Sequence, residues 1–344
     1  MSDPSILRRA ATALPAVAFG VAVRIRNAML DRRTPVRVEG IPVVSIGNLA
    51  VGGTGKTPLC AWAARRLVLE RKLPAIVSRG YGGSAGPGPI VVSTGDGPRV
   101  DARLCGDEPH LLAKSLPGTI VVVGSDRVAG VRAAAAAGAH CVVLDDGFQH
   151  RKLHRDLDVV LLDGRAPFDG GKLLPAGRLR EPPSALARAG LVVLTRLAAD
   201  DPAAEAEAAV RAAGYRGTIV RAGHRTAGFF GPAGEARPVP RRALAFCGIG
   251  DPALFADDLA ASGVKVERLH AFRDHHAYSA SRWQALRAEA EAIGVPLVTT
   301  EKDLSRLESV AGDALLGAPL LVVRMEAVVW DEGPFLRALR RAVP

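Results

Sequence analysis

Ala50-Val51-Gly52-Gly53-Thr54-Gly55-Lys56-Thr57 follows the apolar run Pro42-Val43-Val44-Ser45-Ile46 and opens an amphipathic pattern in which Leu59, Ala63, Leu67 and Val68 recur at helical spacing. Strand, glycine-rich turn and helix in that order make a phosphate-binding loop. The glycines let backbone N–H groups curl around phosphate oxygens, Lys56 reaches the terminal phosphates, and the Thr57 hydroxyl is placed to ligate Mg²⁺. The start of the helix adds its dipole. The strict pattern begins with glycine, and Ala50 stands there instead, a residue small enough for the turn. A nucleoside triphosphate is the expected ligand, bound by Ala50 through Thr57.

Outward from this loop, short β-branched runs alternate with Ala-rich stretches: 75–77, 119–123, 141–144, 158–162 and 191–195. Such alternation predicts an α/β fold, a P-loop NTPase domain with a mostly parallel sheet covered on both faces. Glycine and proline collect in two long segments, 80–97 and 164–183, read as functional loops. The stretch 198–214 reads as a surface helix. A second alternation (243–247, 264–269, 297–300, 320–323) follows a polar, Gly/Pro-containing stretch near 225–240 and predicts a smaller α/β domain. The expected division is 1–35 as an N-terminal helical region, 36–230 as the phosphate-loop domain and 231–344 as the smaller domain.

At 344 residues the chain has ample length for two cores. Its net charge of +10 is spread along the chain, and aromatic residues make up only 4 %. That argues against a nucleic-acid stacking platform and favours anionic membrane surfaces or phosphorylated substrates. Cys60, Cys105, Cys141 and Cys247 form no CxxC pair and read as small buried hydrophobes in a reducing compartment. Between Arg9 and Arg24 lie fourteen uncharged residues, a helix of ~21 Å against a hydrocarbon core of ~30 Å. The segment is too short to span. It reads either as an interfacial helix with arginine flanks facing headgroups or as an ordinary packed helix.

Other stretches carry chemistry. An apolar strand ends at Asp145-Asp146, followed by Gly147-Phe148-Gln149-His150, and a phosphate-loop fold places its Mg²⁺ carboxylate at such a strand end. Asp163 is a weaker copy of that signal and reads as a strand terminus. Gly106-Asp107-Glu108-Pro109 puts two carboxylates at a turn into a helix, where capping is a sufficient explanation. Asp274-His275-His276 could be a general base, a metal ligand or a solvated turn, with no cysteine or carboxylate spacing to complete a zinc pattern. Ser78-Arg79-Gly80-Tyr81-Gly82-Gly83 reads as a substrate-side loop.

Taken together and in order, SIGNLAVGGTGKTP (45–58), SRGYGG (78–83), GDEP (106–109), DDGFQH (145–150), LLPAGRLREP (173–182), the DHH segment after Phe272 and TTEKD (299–303) resemble the tetraacyldisaccharide 4'-kinases of lipid A biosynthesis. The resemblance runs through nearly the whole chain. It implies a peripheral enzyme at the cytoplasmic face of a Gram-negative inner membrane. That enzyme moves the γ-phosphoryl group of ATP, with Mg²⁺, to the 4'-hydroxyl of a tetraacyldisaccharide 1-phosphate. It implies Asp107 as the base, with His275 orienting it or raising its basicity from across an interdomain cleft. Lys56 and Thr57 would hold phosphates and metal, and Asp145, Asp146 and Gln149 would complete the metal site. Arg79, Tyr81, Arg127, Arg180 and Glu181 would face the disaccharide or its phosphates. His276 has no role in that scheme. The resemblance also favours the interfacial reading of residues 4–29.

Overall fold

The computed structural model describes residues 4–344 apart from 81, 82, 85, 87 and 275, with side chains described from residue 15 onward except at 309 and 313. The chain forms two compact units: 1–105, 112–223 and 327–344 make the first, while 106–111 and 224–326 make the second.

The first unit opens with helix α1 (Pro4–Asp31). Its strands are β1 (Val43–Asn48), β2 (Pro74–Ser78), β3 (Ile90–Thr94), β4 (Ile120–Val123), β5 (Cys141–Asp145), β6 (Leu157–Asp163), β7 (Leu191–Thr195) and the first half of β8 (Thr218–Phe230). Spatial order is β8-β7-β6-β1-β5-β2-β4-β3, parallel throughout except for β3, which pairs antiparallel with β4. Every residue of β1, β2, β4, β5 and β7 is buried. Continuous Val/Ile/Leu runs are the expected signature of a parallel sheet covered on both faces. Helices α2 (Lys56–Leu69), α3 (Ala102–Cys105), α5 (Arg127–Ala136) and α6 (Ala204–Ala212) belong to this unit. So does the last helix of the chain, and α4 (Asp107–Ser115) begins in the second unit and ends in the first.

In the second unit, β10 (Arg242–Cys247), β11 (Lys265–Ala271), β12 (Leu297–Thr300) and β13 (Leu320–Val329) form a parallel sheet in the order β11-β10-β12-β13. The short β9 (Ala236–Arg237) pairs antiparallel with the end of β8. Helices α7 (Pro252–Ala261), α8 (Ala280–Ile293) and α9 (Glu301–Ala311) complete it, with Phe246, Trp283, Leu286 and Leu307 at the core.

Three expectations need correction. The polar stretch near 225–240 begins as strand: β8 continues to Phe230, and glycines and arginines at 221, 223, 225 and 228 had broken its apolar alternation. The segment 80–97 is not all loop, because Ile90–Thr94 forms the edge strand β3. Finally, the smaller unit does not extend from 231 to 344. The closing helix α10 (Glu332–Ala342) returns to the first unit, where Phe335 meets Trp62 edge-on at 4.9 Å. All four cysteines are buried, and none forms a disulfide among the described residues.

Candidate active site

The phosphate loop leaves β1 at Asn48 and enters α2 at Lys56. Two features force glycine here. Gly52 and Gly55 have φ of +115° and +82°, which a side chain rarely tolerates. At Gly47 an added Cβ would lie 2.6 Å from the Phe148 side chain, so β1 and the turn after β5 can touch only because residue 47 has none. Gly55 makes no side-chain cap to α2, and the N–H groups of a first turn are suited to phosphate oxygens. The loop is braced from outside: Asn48 Nδ2 donates to Thr54 Oγ1 (3.0 Å), Arg178 Nη2 to the Val51 carbonyl (2.9 Å) and Arg196 Nη2 to the Gly53 carbonyl (2.6 Å).

Asp145 at the end of β5 accepts from Thr57 Oγ1 at 2.9 Å. The strand-end carboxylate and the loop hydroxyl expected to share Mg²⁺ are thus brought together. With Asp146 alongside, the donors are all oxygen, which suits Mg²⁺ completed by nucleotide phosphates. Asp146 sits at φ +55°, a conformation costly for a non-glycine residue and characteristic of functional turns. Its carboxylate bonds both ways to Arg180 Nη1 (3.0 and 2.8 Å) and lies 3.7 Å from Lys56 Nζ. Burial works against its charge, but Lys56, Arg180 and Arg127 outweigh burial and hold the carboxyl below the usual carboxylate range. Nearby, burial first and the Asp145 charge second push the Cys60 thiol well up, so it stays protonated.

Beside these groups lies a cavity of about 400 Å³. Phe19, Ala22 and Val23 of α1 form its apolar wall, and Arg26, Arg79, Arg127 and Arg180 line it together with Asp146, Gln149 and His150. Four guanidinium groups against one carboxylate make it an anion site by charge alone. The buried Arg127 is fixed by carbonyls of Gly124 (2.5 Å) and Asp145 (3.3 Å). Burial, reinforced by Arg127, pulls the His150 pKa down to about 4, so its imidazole is neutral at pH 7.

Of the expected substrate-side residues, Arg79, Arg127 and Arg180 converge on this cavity, and Tyr81 lies outside the described residues. Glu181 does not converge. It is fully buried, with its carboxylate held by Arg188 Nη2 (2.9 and 3.1 Å), Asn27 Nδ2 of α1 (2.9 Å) and Gln149 Nε2 (3.1 Å). A charge at zero exposure must be paired, and this pairing ties α1 to the body of the unit. Gln149 spends its amide nitrogen on Glu181 and on the Asn48 carbonyl (3.0 Å), while its Oε1, the atom a metal would take, is buried with no hydrogen-bond partner among the described residues. Arg26, one of the arginines that follow the uncharged run of α1, turns inward and donates to the Gln149 carbonyl (2.8 Å).

Asp107 belongs to the second unit, as the first residue of α4. Its Oδ2 accepts from Arg306 Nε at 2.9 Å, and Glu108 pairs with Lys302. His275, expected as its partner, lies outside the described residues. His276 has a structural role: it stacks on Phe272 (4.5 Å, 12°) and meets Tyr278 edge-on (4.9 Å). Sequence reading missed Arg26, Asn27, His150, Arg188 and Arg306. Only His150, inside the DDGFQH run, carried a signal; the others are single polar residues whose partners are remote in sequence.

A family model described as tetraacyldisaccharide-1-P 4'-kinase matches residues 10–344. The chain belongs to the tetraacyldisaccharide 4'-kinase family. A tetraacyldisaccharide 4'-kinase of Anaeromyxobacter dehalogenans is 46 % identical over 320 residues, covering 90 % of this chain and 84 % of that one. One from Geobacter sulfurreducens is 40 % identical over 336 residues, covering 93 % and 92 %. A crystal structure of LpxK from Aquifex aeolicus in complex with ATP superposes with a TM-score of 0.77 at 29 % identity, covering 98 % of this chain and 99 % of that one. The expectations of this family and of an α/β phosphate-loop fold are borne out.

Proposed function

We infer that the chain is the ATP-dependent kinase that phosphorylates the 4'-hydroxyl of tetraacyldisaccharide 1-phosphate in lipid A biosynthesis. Besides family membership, the observation that carries this reading is the arginine-lined cavity walled by α1 and opening beside Asp146 and the phosphate loop. A phosphorylated sugar with acyl chains needs cations for its phosphate and an apolar wall for its lipid end, and this cavity offers both.

The residues divide the work. The phosphate loop and Lys56 hold the β- and γ-phosphates. Thr57, Asp145 and Asp146 would hold Mg²⁺, which would neutralise phosphate charge. Arg79, Arg127 and Arg180 hold the acceptor. Asp107 takes the proton of the acceptor hydroxyl, whose oxygen forms the new bond to the γ-phosphorus as the bond to ADP breaks. Phosphoryl transfer needs little covalent help, so positioning and charge neutralisation supply most of the rate. Incubating purified protein with γ-labelled ATP, Mg²⁺ and the tetraacyldisaccharide 1-phosphate in detergent micelles tests this: label appears on the acceptor at the 4' position. Label released only as inorganic phosphate contradicts it.

The same reading places α1 at the membrane surface. Among the described residues no helix is long and apolar enough to cross a membrane. Yet Val17, Val21, Ile25 and Met29 recur every fourth position and are 66 %, 48 %, 57 % and 53 % exposed. Spacing of four puts them in one stripe along the helix, opposite in character to the inward Val23, Arg26 and Asn27. An exposed apolar stripe on a basic helix suits the interface plane of a bilayer, here the cytoplasmic face of the inner membrane, where ATP is supplied.

A further inference from the structure

The second unit holds a polar network with no counterpart in the roles above. Its centre is Asp303, completely buried near the start of α9. Four groups donate to its carboxylate: the Gly248 N–H (3.0 and 3.1 Å), Tyr278 Oη (3.0 Å), Thr300 Oγ1 (2.7 Å) and Arg306 Nη1 (3.1 Å). Thr300 also caps α9 by accepting from the Asp303 N–H (3.2 Å), so carboxylate and helix start fix each other. Burial, with the Asp303 charge beside it, raises the Tyr278 pKa well above that of an ordinary phenol, keeping its O–H a donor. Arg306, one turn along α9 from Asp303, has a side chain only 8 % exposed. Its Nη1 is committed to Asp303 and to the Gly248 carbonyl (2.8 Å), and its Nε points at Asp107 Oδ2 (2.9 Å).

We propose that Arg306, anchored by Asp303, is a positioning residue that fixes the Asp107 carboxylate for proton capture during phosphoryl transfer. The proposal rests on the reading of Asp107 as base. An ordinary surface ion pair is worth little because both long side chains must be frozen. Here the freezing is already done, since the guanidinium is held by a buried carboxylate and a backbone carbonyl whether or not Asp107 is present. Its planar fork then dictates where the second carboxylate lies. With the Arg306 N–H on Oδ2, the plane and direction of the Asp107 carboxylate are set, which fixes where a substrate proton can be received. Among the described residues, Lys302 and Glu108 pair with each other next to Asp107, and Asp303 holds Arg306. Arg306 touches no substrate in this scheme; it acts through Asp107, and a small displacement of a reacting group is costly in rate.

The test is steady-state kinetics of the full chain as wild type, Arg306→Ala, Arg306→Lys, Asp107→Ala and the double variant Asp107→Ala/Arg306→Ala, with folding checked by thermal melts. Removing the guanidinium leaves Asp303 three donors, so Arg306→Ala is expected to fold. It should lower kcat roughly ten- to a hundredfold, with KM for ATP within about twofold, and added guanidinium chloride at low millimolar level should restore part of the loss. The same addition should do nothing for Asp107→Ala. The double variant should be no slower than Asp107→Ala alone, because residues acting through one group are not additive. A wild-type or raised kcat in Arg306→Ala, or a double variant slower by the product of the two single losses, overturns the proposal. Should Arg306→Ala melt far below wild type, Arg306→Lys decides. A folded Lys variant with normal kcat sinks the inference, and one with low kcat and unchanged KM for ATP supports it. If Asp107→Ala itself keeps full rate, the base reading is what has failed.

Discussion

Asp146 and Asp107 are both carboxylates bonded to an arginine, but the two arginines differ in what holds them. Arg180 grips Asp146 with a side chain that is 29 % exposed and whose guanidinium makes no other hydrogen bond among the described residues. Arg306 is 8 % exposed and is pinned by a buried carboxylate and a backbone carbonyl. In the first unit, then, charge is neutralised by partners free to be exchanged, which a site needs if nucleotide, metal and acceptor are to come and go. In the second, one charge is fixed in place, which a proton acceptor needs if it is to meet a hydroxyl at a set angle. On the proposed function, binding and charge neutralisation fall to residues of one unit and aim to residues of the other.

That comparison breaks first, and hardest, at the phosphate loop. Lys56→Ala or Thr57→Ala removes an interaction that strengthens as charge develops on the γ-phosphate. Each should lower kcat by about a hundred- to a thousandfold without changing the melting temperature, as read by label transfer beside a thermal melt. Near-normal turnover in either variant would remove the loop from the chemistry.

Next in size is Glu181, which the structure makes a tie and not a substrate contact. Glu181→Ala strands Arg188, whose side chain is 21 % exposed, and frees Asn27 of α1. Breaking a buried pair from one side should cost about 3 kcal/mol, measured by urea denaturation. A stability within experimental error of wild type, with a large rise in acceptor KM, would return Glu181 to the substrate-facing role.

The sequence made the first unit legible to the level of single residues and the second, apart from the Asp107 and His275 that the family resemblance singled out, only to the level of strands, for a physical reason. Lys56 and Thr57 announce themselves because loop chemistry demands fixed spacing along one short stretch of chain, and Asp145 because it ends an apolar strand. Asp107 and Arg306 are nearly two hundred positions apart, and nothing local in either marks the other. The same holds for Glu181 and Asn27, and for α10, whose apolar face gives no sign that its partner is Trp62. Strand β8 was hidden differently, by arginines and glycines that a half-exposed strand accepts and a buried one does not.

A smaller effect concerns His150. Its pKa falls from 6.5 to about 4 on folding, so as pH drops the unfolded chain takes up the proton first. Its contribution is therefore full above pH 6.5 and drains away toward pH 4, on the order of 1–3 kcal/mol in all given its partial solvent contact. His150→Gln should flatten that part of the stability profile, and an unchanged acid limb would mean that the imidazole is charged in the fold. Smallest in energy is the α1 stripe. Val21→Ser with Ile25→Ser should weaken binding to anionic vesicles severalfold, in a flotation assay, while leaving kcat in detergent micelles unchanged. Equal flotation would place the stripe against something other than lipid.

The division of labour itself is tested most directly by one pair of measurements, kcat and acceptor KM for Arg127→Ala beside Asp107→Asn in the same micelle assay. Arg127→Ala is expected to raise acceptor KM with a lesser effect on kcat, and Asp107→Asn to collapse kcat with KM nearly unchanged. If both variants change the same constant in the same proportion, the two units do not divide binding from proton transfer and the account is wrong.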